Sequence, residues 1–337
     1  MAKIVGVFNT AHSPFAYSDP EGWGEARAAR PLREDVPMDD LETNRAKSAR
    51  VYAGFNALKQ KLNEARPDVV VVFGDDQSEC FDFSNFPSFA VYVGGEWEGF
   101  PPSRGRRLAN RGGGNGGAAP AVERRRERLL GHPDLAVGLL TGMMQRGFDP
   151  AFCMDMPKPE RGIGHAFMNP ASSLTDYSIP VVPVLLNCYY APQPTARRCY
   201  QLGQAVRESV EAYPGDLRVA LVGSGGLWHT PGAQDAYLDE DFDRAMLGYL
   251  EAGDIRGMAQ HFDAYQIPEG DRSQDISQRN RGSTGMPSLG GPQGGTRETC
   301  NWIAAAGAAD GSRFTVVDYV PVYASPVGAG FAYCLQP

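Results

Sequence analysis

The sequence predicts an α/β fold: one domain over 1–337, with a central, mostly parallel or mixed sheet covered by helices on both faces. Three observations predict it. Residues 68–73 (DVVVVF) and 217–222 (LRVALV) are apolar almost throughout, the pattern of strands buried on both faces. An amphipathic stretch of helical length precedes each of them. Strands and helices then alternate along the whole chain, with no internal repeat and no second compositional zone.

The elements follow in order. Residues 3–8 (KIVGVF) form the first strand and lead into Asn9-Thr10-Ala11-His12-Ser13-Pro14. Residues 16–40, rich in Pro, Asp, Glu and Arg, read as a long surface loop. Leu41, Ala46, Val51, Phe55, Leu58 and Leu62 recur at helical spacing over 41–65, and Pro67 closes that helix. The strand at 68–73 comes next, then one at 89–93 (FAVYV). Residues 101–120 (PPSRGRRLANRGGGNGGAAP) are of low complexity. Glycine loses much backbone entropy on ordering and offers nothing to a core, so a flexible solvated loop is expected there despite its arginines. Helices are expected at 121–130 and 135–146, a strand at 179–187 and a helix at 200–213. The strand at 217–222 ends in Gly223-Ser224-Gly225-Gly226, and helices at 240–252 and 254–262 follow. Residues 267–295 are polar, Gly-rich and without periodicity; they read as a second flexible loop, disordered or serving as a lid. A short helix over 298–309 and a closing strand at 314–320 complete the domain.

Composition narrows the function classes. The chain has 337 residues, is 42% hydrophobic and carries a formal net charge of -8. That balance excludes a wholly disordered chain and argues against nucleic acid as a partner. No run of 18 apolar residues occurs, so no membrane span is expected. The N-terminus lacks the pattern of a secretion signal. Six cysteines stand apart, without a CxxC pair, and reduced thiols in the cytoplasm are expected.

The candidate chemistry sits on strand ends, where α/β sheets build their sites. His12 follows the first strand, and His229 follows Gly223-Ser224-Gly225-Gly226-Leu227-Trp228. The alternative for either is a capping or turn residue. Asp75, Asp76 and Gln77 follow residues 68–73 after Gly74 and stand where the two histidines stand on their own strands; a turn that caps the next segment is the competing reading. His165, in Gly162-Ile163-Gly164-His165-Ala166-Phe167, reads equally as a site residue or a satisfied core histidine. Glu298 opens a helix, where an acid also complements the dipole. His132 and His261 read as ordinary helix-end residues, and Arg297 as a surface residue.

Together these segments resemble the class III extradiol ring-cleavage dioxygenases, the family of the catalytic subunit of protocatechuate 4,5-dioxygenase. Five pieces carry the resemblance across most of the chain: His12-Ser13-Pro14 after the first strand, Phe73-Gly74-Asp75-Asp76-Gln77, Gly164-His165-Ala166-Phe167 with Pro170, Gly223 to His229, and Gly295-Thr296-Arg297-Glu298 with Trp302 to Gly307. The resemblance implies a non-haem Fe(II) held by His12 and Glu298. It implies His229 as the acid–base histidine and His165 as a second active-site histidine that orients substrate or oxygen. The family's second metal-binding histidine falls on Gln77, which departs from the pattern. Three outcomes follow from that departure: Gln77 ligates through its amide oxygen, Asp75 or Asp76 replaces it, or iron is absent.

The implied function is extradiol cleavage of a catechol-type or aminophenol-type ring with dioxygen, by a homodimer. The chain contains no evident second domain, and its two Gly-rich stretches are expected to do part of the work of closing the pocket. The alternatives are a metal-poor relative doing hydrolysis or decarboxylation on a phenolic substrate, and a non-catalytic binding protein.

Overall fold

Four strands of unbroken apolar sequence cannot leave a face in water, and in the computed structural model they lie side by side under helices. The structure describes residues 1–102, 125–230, 232–274 and 284–336. In chain order the elements are β1 (Lys3–Thr10), α1 (Trp23–Ala28), α2 (Leu41–Ala65), β2 (Val69–Asp75), β3 (Phe89–Tyr92), β4 (Glu96–Gly99), β5 (Glu127–Leu130), α3 (Pro133–Gln145), β6 (Ala151–Cys153), α4 (His165–Pro170), β7 (Val181–Leu186), α5 (Ala196–Ala212), β8 (Arg218–Ser224), α6 (Glu240–Ala252), α7 (Ile255–Ala264), α8 (Thr299–Gly307), β9 (Thr315–Val322) and β10 (Val327–Leu335).

The main sheet has the order β6-β3-β7-β2-β8-β1-β10-β9. Its centre, β7-β2-β8-β1, is parallel. The edges bring in antiparallel pairs, β3 with β7 on one side and β1-β10-β9 on the other, so the sheet is mixed. Alternation along β2 shows both faces covered. Val69, Val71 and Phe73 pack into a core with α3, α5, α6, α7 and α8. Val70 and Val72 pack into a second core with α2 and α4. Parallel strands all point their carboxyl ends one way, so Thr10, Asp75 and Ser224 end at the same edge of the sheet.

Three expectations from sequence are corrected. Residues 127–130 form a strand, not a helix: β5 pairs antiparallel with β4, and cross-strand ion pairs join Arg128 to Glu96 and Arg126 to Glu98. Residues 16–40 are not simply a surface loop. Ala16, Tyr17, Trp23 and Val36 are buried, and two short 3-10 turns lead into α1. The strand over 315–322 is not the last one. β10 follows it and inserts between β1 and β9.

Of the two Gly-rich stretches, 103–120 and 275–283 lie outside the described residues. Around the second, Ser273, Gln274 and residues 291–295 are buried. Arg297 holds this segment: its guanidinium donates to the carbonyls of Gly290 (2.6 Å), Pro292 (3.3 Å) and Pro194 (2.7 Å). Arg297 is therefore a core residue, 1% exposed, and not the surface residue expected.

Candidate metal centre

His12 enters the site because β1 ends at Thr10 and the chain then turns into a 3-10 turn at Pro14. Its Nδ1 lies 3.0 Å from Ser224 Oγ, and the Ser224 hydroxyl donates to the Ala166 carbonyl at 2.5 Å. The serine proton is thus committed, and Ser224 accepts from His12. This fixes the tautomer: Nδ1 carries hydrogen, and Nε2 presents a lone pair. That lone pair faces Glu298 Oε2 at 3.1 Å and Asp75 Oδ1 at 3.7 Å.

His12 is 1% exposed, and Asp75 and Glu298 are fully buried. His12 Nε2 and Asp75 Oδ2 have no hydrogen-bond partner among the described residues. Burial lowers the His12 pKa and favours the neutral ring. Burial, then the nearby Glu298 charge, pushes the Asp75 carboxyl well above the ordinary range. Burial alone would push Glu298 up as well, but the His229 and His12 rings, in their protonated forms, outweigh it and draw this carboxyl well below the usual range.

The His12 imidazole and the two carboxyl groups of Asp75 and Glu298 lie with their ligand atoms within 4.8 Å of one another. Such an arrangement repels itself unless protons or a cation intervene. The orphaned His12 Nε2 and Asp75 Oδ2, and the nitrogen-and-oxygen donor set, fit a divalent cation of the Mn(II)/Fe(II) type.

The strand-end glycines make room for this cluster. Gly225 has φ +130, and a Cβ there would lie 2.7 Å from Glu298 Cβ and 3.2 Å from His12 Cε1. Glu298 arrives from the opposite side, on the last residue of a 3-10 turn (Gly294–Glu298) that runs into α8. Asn301 on that helix donates to the Ser224 carbonyl at 2.7 Å and reaches Asp75 Oδ1 at 3.4 Å.

His229 stands on the other carboxylate oxygen. Its Nδ1 donates to the Leu227 carbonyl at 3.1 Å, and Nε2 lies 3.3 Å from Glu298 Oε1. Gly295 clears its ring, since a Cβ there would be 2.2 Å from Nε2. The His165 ring packs edge-on against His12 with centroids 4.8 Å apart. Glu79 accepts from His165 Nδ1 at 2.7 Å. Burial would lower the pKa of His165, but the Glu79 carboxylate, aided by Asp75 and Glu298, raises it to about 9, so this ring is an imidazolium at neutral pH.

The three residues after Gly74 separate. Asp75 faces His12 and Glu298. Asp76 faces the opposite way and accepts from the backbone N–H groups of Glu79 (3.1 Å), Cys80 (2.7 Å) and Phe81 (3.3 Å), the turn-capping role. Its carboxyl is raised to about 6 by burial and Glu79. Gln77 does reach the cluster, but with its amide nitrogen: Nε2 donates to Glu298 Oε1 at 3.2 Å and to Tyr189 Oη at 3.0 Å. His132 caps α3, accepting from Leu135 N, and His261 sits in the last turn of α7 beside Tyr249, both away from the cluster.

Sequence reasoning missed Tyr189, Ser224, Asn301 and Glu79 as site residues. Tyr189 is the most informative omission. It lies three residues beyond the end of β7, at the same sheet edge, and donates to Glu298 Oε1 at 2.5 Å. The strand-end rule that selected His12 and Asp75 selects Tyr189 too.

The profile of the family described as the catalytic LigB subunit of aromatic ring-opening dioxygenase matches residues 36–278, a span that includes Asp75, Gln77, His165 and His229. The chain belongs to this family. Among curated relatives, it is 35% identical over 125 residues to a gallate dioxygenase of Pseudomonas putida, covering 36% of this chain and 35% of that one. It is 28% identical over 184 residues to a 2,3-dihydroxyphenylpropionate/2,3-dihydroxicinnamic acid 1,2-dioxygenase of Photorhabdus laumondii, covering 52% and 48%. The namesake from Paraburkholderia xenovorans is 28% identical over 217 residues, covering 64% and 60%. The aligned parts thus span between about a third and three-fifths of these relatives. A solved structure of an uncharacterized protein from Escherichia coli K12 aligns over 98% of this chain and 99% of that one, with 13% identity and a TM-score of 0.44. No helix among the described residues is long and apolar enough to cross a membrane.

Proposed function

We propose that this protein is a metal-dependent extradiol dioxygenase that opens the ring of a catechol-type or aminophenol-type substrate with dioxygen. One observation carries the reading: the buried, unpartnered Nε2 of His12 aimed between Asp75 and Glu298, with His229 and His165 on either side. Membership of a family described as an aromatic ring-opening dioxygenase subunit, and the dioxygenase activity named for the relatives, support it.

His12, Asp75 and Glu298 would hold the ion. When bound, Fe(II) supplies open coordination positions for two vicinal ring oxygens and for dioxygen, and the electron transfer that links them. The rest belongs to the chain. His229 keeps its Nδ1–H on the Leu227 carbonyl, so Nε2 is the nitrogen that exchanges a proton with substrate. In the first half of the reaction it accepts a hydroxyl proton. In the second it returns a proton to the oxygen that leaves. His165, an imidazolium held by Glu79, sets a fixed positive charge beside His12, where it favours the ionised substrate over the neutral one. All six cysteines are unpaired, which suits a cytoplasmic enzyme, and a homodimer is expected from the frequency of two-fold assemblies.

The test is anaerobic reconstitution with Fe(II), followed by oxygen uptake and product absorbance with a panel of catechols and aminophenols. Wild type is expected to consume oxygen in step with ring opening. His229→Ala should bind iron yet lose about 10²–10⁴-fold in turnover, the usual worth of a positioned proton-transfer group. Iron binding without oxygen uptake on any panel member would turn the reading toward non-oxidative chemistry.

A further inference from the structure

We infer that Gln77 and Tyr189 form a donor pair that holds one oxygen of Glu298 and reserves the other for the metal, so that Gln77 is a positioning residue and not a ligand. This rests on the reading above, in which His12, Asp75 and Glu298 hold the ion.

The two oxygens of Glu298 are treated differently. Oε1 meets three groups: Tyr189 Oη–H at 2.5 Å, Gln77 Nε2 at 3.2 Å and His229 Nε2 at 3.3 Å. Among the described residues, Oε2 receives only the Gly226 N–H, at 3.2 Å, and faces His12 Nε2 at 3.1 Å. A carboxylate oxygen has about two lone-pair sites. Those of Oε1 are taken by the hydroxyl and the amide, so bidentate ligation is closed to it. Oε2 keeps one lone pair on the side of His12 and Asp75. Glu298 is thereby set to ligate through Oε2 alone.

The orientation of the Gln77 amide follows from its partners. A carboxylate only accepts, so the amide nitrogen must face Oε1. The Tyr189 proton is committed to Oε1, so Tyr189 Oη also accepts, again from nitrogen. Both contacts therefore demand Nε2 on this side. A primary amide carries two N–H groups and can serve both acceptors at once, whereas one imidazole nitrogen carries a single hydrogen. Glutamine thus does something at this position that histidine does not. It joins Tyr189 to the carboxylate in a closed triangle of hydrogen bonds, with the hydroxyl–carboxylate member short and charge-assisted.

Two substitutions separate a positioning residue from a ligand. Gln77→Glu keeps the length of the side chain, removes both N–H groups and adds a carboxylate. A ligand at position 77 would bind metal more tightly after this change. A donor to Glu298 would become a like charge against it. Tyr189→Phe removes the short hydrogen bond to Glu298 and the acceptor that Tyr189 Oη offers Gln77 Nε2, so both ties of the pair are lost without a change of charge. The readouts are anaerobic Mn(II) titration by calorimetry and the electron paramagnetic resonance spectrum of bound Mn(II), with melting curves as the check on folding.

Mn(II) affinity is expected to fall about 10–100-fold in each variant, the usual loss when a group that orients a ligand is removed. The Mn(II) spectrum of Tyr189→Phe should change as Glu298 rotates. Equal or tighter binding by Gln77→Glu, or an unchanged affinity and spectrum in Tyr189→Phe, would overturn the inference while leaving the metal centre in place. A wild type that binds neither Mn(II) nor Fe(II) would remove both together. Should one variant not fold, the other decides alone.

Discussion

Two buried aspartates, Asp75 and Asp243, show how this fold separates architecture from chemistry. Both are fully buried, and burial pushes both carboxyls well above the ordinary range. Asp243, on α6, is satisfied by the chain. Its oxygens accept from the Trp228 backbone N–H and the Tyr319 hydroxyl, each at 2.7 Å. It ties the loop before His229 to β9. Among the described residues, Asp75 has one weak side-chain donor, the Asn301 amide at 3.4 Å, and an Oδ2 that no donor reaches. A buried carboxyl that finds its donors in the protein is part of the scaffold. One left without them, opposite an unpartnered imidazole, is built for something the chain does not supply. Asp76 extends the comparison: next to Asp75 in sequence, it takes three backbone donors and belongs with Asp243.

The comparison can be broken from the structural side first. Asp243→Ala strands two buried donors, each worth about 1–3 kcal/mol when left unpaired. A loss of about 2–5 kcal/mol in denaturant unfolding is expected, with metal affinity of the folded fraction unchanged. A comparable loss of affinity would mean that Asp243 serves the metal centre as well as the scaffold. From the chemical side, Gly295→Ala puts a methyl group where the His229 ring lies, 2.2 Å from Nε2. Displacing a catalytic group by about 1 Å costs about 10²-fold in rate. Turnover should fall by roughly that factor while metal titrations stay at the wild-type value. The smallest effect concerns pH. A carboxyl raised in the folded state binds its proton more tightly there than when unfolded. Between its ordinary and raised values, stability therefore falls as pH rises, by up to ~1.4 kcal/mol per pH unit for one group. Asp243→Asn removes that group, so its stability should fall less steeply with pH above about 4 than that of the wild type. Parallel curves from the two proteins would show that Asp243 does not carry this slope.

The legible parts of the molecule are those where local chemistry and tertiary role agree. Residues 69–73 and 219–222 are apolar, mostly β-branched and buried on both faces, and the strands expected at 68–73 and 217–222 are central strands of the sheet. The 25-residue α2 was visible at both ends, with Asp40 accepting from Thr43 N and Arg66 turning into the left-handed region before Pro67. β5 misled because Glu, Arg and Leu favour helices, and only its pairing with β4 overrides them. β10 (VGAGFAYCL) was passed over because its glycines and alanines weaken a strand pattern; its partner β1 is far away in sequence, and β9 precedes it across a short turn. In the site, His12, Asp75, Gln77 and His229 were visible from strand-end placement, and Glu298 from its resemblance. Asp75 and Asp76 could not be told apart, since which of two adjacent carboxyls turns inward depends on backbone donors three to five residues downstream. Arg297 read as surface because the carbonyls that hold it, at 194, 290 and 292, come together only in the fold.

The claim that Asp75 completes the metal centre is tested most directly by Fe(II) titration under anaerobic conditions, comparing wild type with Asp75→Asn, a substitution of nearly equal size that removes the charge. Wild type should bind one ion per chain. Groups that merely orient ligands cost about 10–100-fold when lost, so removing a ligand should weaken binding by ~100-fold or more, while the metal-free variant melts at or above the wild-type temperature because a poorly satisfied buried acid is gone. Wild-type affinity retained in Asp75→Asn would contradict the assignment of Asp75, and a wild type that takes up no Fe(II) would contradict the metal centre itself.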